Sequence, residues 1–399
     1  MKPAPATGVH LAAGARVPSA SPAAAAGEAH VSAPTSYDAV LLAGFGGPEG
    51  QADVLPFLRN VTAGRGIPDE RLEEVAVHYR HFGGVSPING HNRQLREALE
   101  AALAAAGLDL PVYWGNRNWD PYLTDAVRAA HDAGHTRLLM IPTSAYASYS
   151  SCRQYREDLA DVLEATGLAE AMEVDKVRQF FDHPGFVTPF VEGVRAGLAD
   201  LRARGAERIE VLFATHSIPI DDARRSGPAL LPDGHASDWG DGGAYAAQHL
   251  AVAGVVMDSL DEPGAGWQLT YQSRSGPPDQ PWLEPDINDA IEALTDRDAV
   301  LIVPLGFLSD HMEVMWDLDE EATETATARG LACARVPTPG VHPDFVRGLV
   351  DLVAERAGAR PVAERAALTD LGPWFDVCRP GCCENVRRGF RPAIAGVAP

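Results

Sequence analysis

Short apolar runs recur along the chain at Ala39–Ala43, Val112–Trp114, Leu138–Ile141, Ile209–Phe213, Gln268–Tyr271 and Val300–Pro304. Each is bounded by Gly, Pro or a polar residue and is of strand length. Longer stretches lie between them, such as Asn92–Ala105 and Cys152–Ala165, with apolar positions at helical spacing. Strand-length runs alternating with amphipathic helices predict repeated β-α-β units and parallel sheets. Half of the runs precede residue 182 and half follow it, so the pattern fits an α/β chain of two Rossmann-like domains, each a parallel sheet flanked by helices. The expected organisation is a tail over 1–36, a first domain over 37–182, a second over 183–342, and a crossing at Phe180-Phe181-Asp182-His183-Pro184.

In such folds ligands bind beyond the carboxyl ends of the strands. Gly44-Phe45-Gly46-Gly47 follows the first run, Thr215-His216-Ser217 the fourth, Gln272-Ser273-Arg274 the fifth, and Ser309-Asp310-His311-Met312-Glu313 the sixth. The first turn does not complete a dinucleotide fingerprint, because Glu49 occupies the third glycine position and would repel a pyrophosphate. Its glycines are expected to let the backbone approach a flat ligand, with Phe45 lying against it. Asp310 is expected to cap a helix beginning near His311. On that helix Glu313, Asp317 and Glu321 recur at every fourth position and share one face. Asp319, Glu320 and Glu324 add negative charge, and no Lys or Arg follows until Arg329. A solvated acidic face would explain the row, but the interleaved Met312, Val314, Met315 and Trp316 predict partial burial. Buried carboxylates without basic partners are costly, unless a cation or protons travel along them. His216 alone reads as a structural histidine. Beside a carboxylate, its imidazole suits both ferrous iron and proton transfer. Metal insertion into a porphyrin needs both, since the metal displaces two pyrrole protons.

Composition narrows the partners. The chain has 399 residues, enough for two domains, and 46% are hydrophobic, as in an ordinary globular protein. Lys plus Arg is 33 against 55 for Asp plus Glu, a formal net charge of -22. That balance argues against binding nucleic acid or an anionic lipid surface. No apolar run reaches the roughly 18 residues of a membrane span. The first 36 residues, rich in Ala, Pro, Ser and Gly, read as a disordered tail or as translation from too early a start, and not as a secretory signal. A cytoplasmic protein is expected. Cys378, Cys382 and Cys383 crowd together near the end, which points to a metal site rather than a disulfide framework; Cys152 and Cys333 stand alone.

Six segments in this order, LLAGFGGPE, HYRHFGGVSPIN, GNRNWDPY, FATHSIP, YQSRSGPPDQPWLEPD and GFLSDHMEVMWDLDEE, resemble the ferrochelatase family over residues 37 to about 358. The resemblance implies two Rossmann-like domains with a porphyrin cleft between them and a C-terminal helix, here 343–358, packed back on the first domain. It implies that His216 and Glu313 are catalytic and meet the substrate iron. Asp317 and Glu321 would form an acidic relay on a helix with a π distortion. His216 would approach one face of the porphyrin, with Glu313 across from it or just behind. Tyr79 and Ser86, with Arg65 as a further candidate, match porphyrin-contacting positions. Phe45 falls where some bacterial members place an iron-ligating Tyr, a role Phe cannot take.

The segments GRG, GNRNW and SSCRQY are similar to those of actinobacterial members. These imply coproporphyrin III as substrate, Fe-coproporphyrin III (coproheme) as product, and handover to a coproheme decarboxylase. Protoporphyrin IX, or a cobalt-type tetrapyrrole chelatase, is the alternative. The same resemblance implies a [2Fe-2S] cluster on Cys152, Cys378, Cys382 and Cys383 in a tail over 359–399, with Cys333 in reserve for Cys382. A monomer is expected. The segment DGHASDWGDGG after FATHSIP reads as a surface loop near the cleft mouth.

Overall fold

The computed structural model describes residues 36–64, 66–228, 239–260, 262, 264–276, 279–378, 381–384 and 391–395. The expectations for the N-terminal tail, for Arg65 and for most of the DGHASDWGDGG segment lie outside the described residues.

All six apolar runs form strands, and two more join them. Strands β1 (Ala39–Gly44), β2 (Val112–Asn116), β3 (Arg137–Pro142) and β4 (Glu173–Lys176) make one parallel sheet in the order β2-β1-β3-β4. Strands β5 (Ile209–His216), β6 (Gly266–Gln272), β7 (Ala299–Val303) and β8 (Ala332–Arg335) make a second in the equivalent order β6-β5-β7-β8. The two sheets therefore share a topology, and β1 and β5 hold corresponding central positions. Nearly every residue of β1, β3, β5 and β7 is buried, as expected of strands covered by helices on both faces.

Strand β4 was not visible as an apolar run because it reads Glu-Val-Asp-Lys. It is buried nonetheless. Asp175 accepts from Arg356 and from Tyr37, and Lys176 donates to the carbonyl of Val177 at 3.1 Å. Polar residues enter a core when their hydrogen bonds are made there.

The helix Pro343–Ala357 lies against Ile88–Ala105 from the first half and Pro184–Ala203 from the second. Its inner face carries ions as well as apolar side chains. Arg178 pairs with Glu355 at 2.7 Å, Arg356 with Asp175, and Arg365 makes a two-pronged bond to Asp376 at 2.8 Å on each prong. All of these groups are buried. The network ties the segment after the helix to β4 and so fixes the base on which Cys378, Cys382 and Cys383 sit.

Candidate active site and thiol cluster

Strand β5 ends on His216, and the register pairs it with Gln272 at the end of β6. The His216 ring nitrogen Nδ1 donates to the carbonyl of Ser217, which can only accept. That bond fixes the proton on Nδ1 and directs Nε2 into the cleft. The backbone beneath is held as well. Tyr245 donates its hydroxyl to the His216 carbonyl at 2.9 Å, and Thr215 donates to the Tyr245 oxygen at 2.7 Å.

Glu313 meets this histidine from the neighbouring loop-helix, with Nε2 and a carboxylate oxygen 3.7 Å apart. The helix starts at Met312 with His311 at its N-cap, in extended backbone and without a side-chain cap. Asp310 is not the cap that the sequence led us to expect. It accepts from both terminal nitrogens of Arg335 at 3.1 Å, and Arg335 also holds Asp319. Arg335 sits on β8, so the basic partner of this acidic stretch arrives from the adjacent strand. Among the described residues no Lys or Arg pairs with Glu313, Asp317 or Glu321.

From Met315 to Glu321 the helix widens into a π-helical turn, a rare conformation that recurs at functional sites. Residues five apart then approach, and Trp316 donates to Glu321 at 2.7 Å. Asp317, partly buried, accepts from Gln272 at 3.2 Å and from the Ser273 hydroxyl. Ser273 takes a left-handed backbone, with φ 58, to make that bond. Burial first, then the charges of Glu313 and Glu321, pushes the Asp317 carboxyl up to about 7, against the pull of its hydrogen bonds. Burial also keeps His311 below the usual histidine range.

A cavity opens beside this row. The first half of the chain contributes Phe45, Phe57, His78 and Tyr79 to it, and the second contributes Met312, Glu313, Trp316 and Asp317. Its walls are mainly aromatic and aliphatic, with two carboxylates on one side. Burial, reinforced by Glu313 and Asp317, drives the Tyr79 phenol far above its ordinary range, so it stays a neutral donor. His78 stacks on Trp316 with ring centres 4.0 Å apart, which joins the two halves over the cavity.

Two expectations need correction. First, His216 and Glu313 do not stand across a macrocycle from each other. At 3.7 Å they are too close for an aromatic plate, which needs a contact of about 3.5 Å on each face. The other arrangement expected, with Glu313 just behind His216, fits that distance. Second, the glycines after β1 do not serve ligand approach. A β-carbon on Gly44 would lie 2.4 Å from Asn116, and one on Gly47 would lie 2.8 Å from Ser86, so their smallness serves packing within the chain. Ser86 itself is buried beneath Gly47 and does not line the cavity. Phe45 does, with Arg117 over its ring at 5.8 Å. Sequence reasoning placed Gln272 and Ser273 at a strand end but gave them no role, and it passed over Arg335. Gln272 ends β6 and Ser273 follows it, so the register to His216 would have brought them to the site.

The four predicted cysteines also converge. Cys378 lies close enough to Cys152 and Cys382 for their thiols to act on one another, and the sulfurs of Cys382 and Cys383 are 3.8 Å apart. Gly227 donates its amide to Cys383 at 3.2 Å. All four are buried. Hydrogen bonds from Cys152 and Cys382 push the Cys378 thiol down, with help from Arg156 and Lys176. Cys333 is remote, on β8 near Thr323, and is not part of this group.

The ferrochelatase family model matches residues 37–357. The chain is 63% identical to the coproporphyrin III ferrochelatase of Leifsonia xyli subsp. xyli, over 95% of this chain and 99% of that one. It is 57% identical to the coproporphyrin III ferrochelatase of Tropheryma whipplei, over 92% and 93%, and 46% identical to the ferrochelatase of Rhodopirellula baltica, over 91% and 97%. With its paired imidazole and carboxylate at the strand ends and a family match spanning nearly all of the described fold, this chain belongs to the ferrochelatase family.

Proposed function

We propose that this chain inserts ferrous iron into coproporphyrin III to give coproheme, acting as a metal chelatase of the lyase class. The observation that carries the reading is the meeting of His216 and Glu313 at 3.7 Å beside an aromatic cavity, with Asp317 next in line. The coproporphyrin III assignment draws on the relatives of 57% and 63% identity that bear that name.

The reaction takes one ferrous ion and a porphyrin bearing two pyrrole N–H groups, and yields the iron porphyrin and two protons. His216 has its Nδ1 proton bound to a carbonyl, so its Nε2 lone pair is the base that meets a pyrrole proton. Glu313 shares that side of the macrocycle, receives the proton or guides the metal, and hands on to Asp317. A carboxyl near 7 gains and loses protons readily at neutral pH, which suits Asp317 to the relay. Glu321 continues the row toward solvent. Phe45 and Tyr79 bound the macrocycle from the first half of the chain, in a working division at residues 182 and 183, and Ser86 supports the loop that carries Phe45.

The four buried thiols suit a [2Fe-2S] cluster on Cys152, Cys378, Cys382 and Cys383. The donor set is complete, and the buried Arg156 and Lys176 are cations beside it. Such a cluster would link the tail to the first half of the chain and exchange one electron; insertion itself involves no net electron transfer. Among the described residues no helix is long and apolar enough to cross a membrane. We propose a cytoplasmic monomer that passes coproheme to a decarboxylase.

The test is a side-by-side measurement of anaerobic insertion rates with coproporphyrin III and protoporphyrin IX. The reading expects a several-fold or greater preference for coproporphyrin III in kcat/KM; equal use, or preference for protoporphyrin IX, overturns the substrate assignment.

A further inference from the structure

Arg156 follows Cys152 by one helical turn and is fully buried. Its Nε donates to the carbonyl of Ile394 at 2.7 Å. Both terminal nitrogens, Nη1 and Nη2, are buried and have no hydrogen-bond partner among the described residues. No carboxylate among the described residues pairs with it. The groups that act on it are sulfurs, first Cys378, then Cys152, Cys382 and Cys383. Lys176 is equally buried, and among the described residues its ammonium donates to the Val177 carbonyl alone. It too lies without a carboxylate partner among the described residues, and acts on Cys152 and Cys378. Two buried cations without a carboxylate partner among the described residues, one with its fork unsatisfied, are strongly unfavourable unless negative charge sits on the sulfurs beside them.

We propose that Arg156 and Lys176 form a counter-charge site for a metal–sulfur cluster on the four cysteines, with Arg156 donating from Nη1 and Nη2 to cluster sulfur. This rests on the cluster reading above and goes beyond it. Two ferric ions, two sulfides and four thiolates sum to a double negative charge, which two cations offset. Reduction adds one electron and breaks no bond, so it raises the negative charge by one. Cations and hydrogen bonds at the sulfurs therefore favour the reduced form and raise the midpoint potential. Arg156 and Lys176 are positioning residues for charge; they take no part in insertion.

The experiment uses the full chain purified anaerobically, with iron and acid-labile sulfide assayed per chain and the midpoint potential titrated with dithionite by visible absorption. Arg156→Leu and Lys176→Met should each move the potential to more negative values and shorten the life of the visible bands in air. Arg156→Lys, which keeps the charge and loses the fork, should fall between Arg156→Leu and wild type. If Arg156→Leu retains no cluster while Arg156→Lys does and far-UV circular dichroism is unchanged in both, the proposal stands, and Lys176→Met supplies the potential. Unchanged potential and lifetime in Arg156→Leu and Lys176→Met overturn it, as does equal loss of cluster in Arg156→Leu and Arg156→Lys. Wild-type protein without iron and sulfide overturns the cluster reading itself, a result separable from any property of the variants.

Discussion

Asp317 concentrates the chemistry of the row in one carboxyl. It is pushed up to about 7 chiefly by burial, so in the folded protein it is protonated in weak acid and ionised above neutrality. A folded-state value raised above the ordinary carboxylate range favours the fold at low pH. That advantage is full below about pH 4 and is lost as pH rises through 7. Asp317→Asn should therefore raise the thermal midpoint relative to wild type more at pH 8 than at pH 5, as read by scanning calorimetry across that range. If Asp317 accepts protons during turnover, wild-type insertion should decline below about pH 7, and Asp317→Asn should lose that limb along with much of its rate. The residue was legible as one member of a periodic acidic row. Its raised affinity for protons was not, because that comes from burial that only the fold creates, working against the hydrogen bonds from Gln272 and Ser273.

At the scale of elements, the π-helical segment Met315–Glu321 is tied to β8 through the pair of Asp319 with Arg335. Three carboxylates of the row stay without a cation among the described residues, while Asp310 and Asp319 are held by one guanidinium. Arg335→Met leaves those two partly buried carboxylates facing each other. It should cost about 1–2 kcal/mol of stability in urea unfolding, and slow insertion by disturbing the helix that carries Glu313. The apolar runs foretold six strands because strands buried on both faces read as continuous hydrophobic stretches. They could not foretell β4, whose Asp175 is buried on the strength of Arg356 and Tyr37, partners far along the chain. The helix start at His311 was legible, but its cap was not. Asp310 looked like a cap residue and instead serves as an ion-pair partner, a choice made by the tertiary fold.

Over the whole molecule, two sheets of equivalent order present their strand ends to one cavity, and a buried ionic network locks the C-terminal segment beneath the first sheet. Asp376 anchors that segment through Arg365 and Arg356. Asp376→Asn leaves buried cations short of a partner and should lower stability by about 3–5 kcal/mol in denaturant unfolding, with loss of any metal bound by the cysteines. The gathering of Cys152 with the three C-terminal cysteines was foreseen from family resemblance; the ions that make it possible were not, since they come from four separate parts of the chain. His216 and Glu313 were named from the same resemblance, and the distance between them decides which of the two arrangements expected for Glu313 the fold allows. Anaerobic mixing with ferrous iron and coproporphyrin III, followed by loss of free-porphyrin fluorescence, tests their partnership most directly. The account predicts rapid loss with wild type and initial rates at least about 100-fold lower with Glu313→Gln and with His216→Ala, both still folded by circular dichroism. Near-normal insertion by either variant would contradict it.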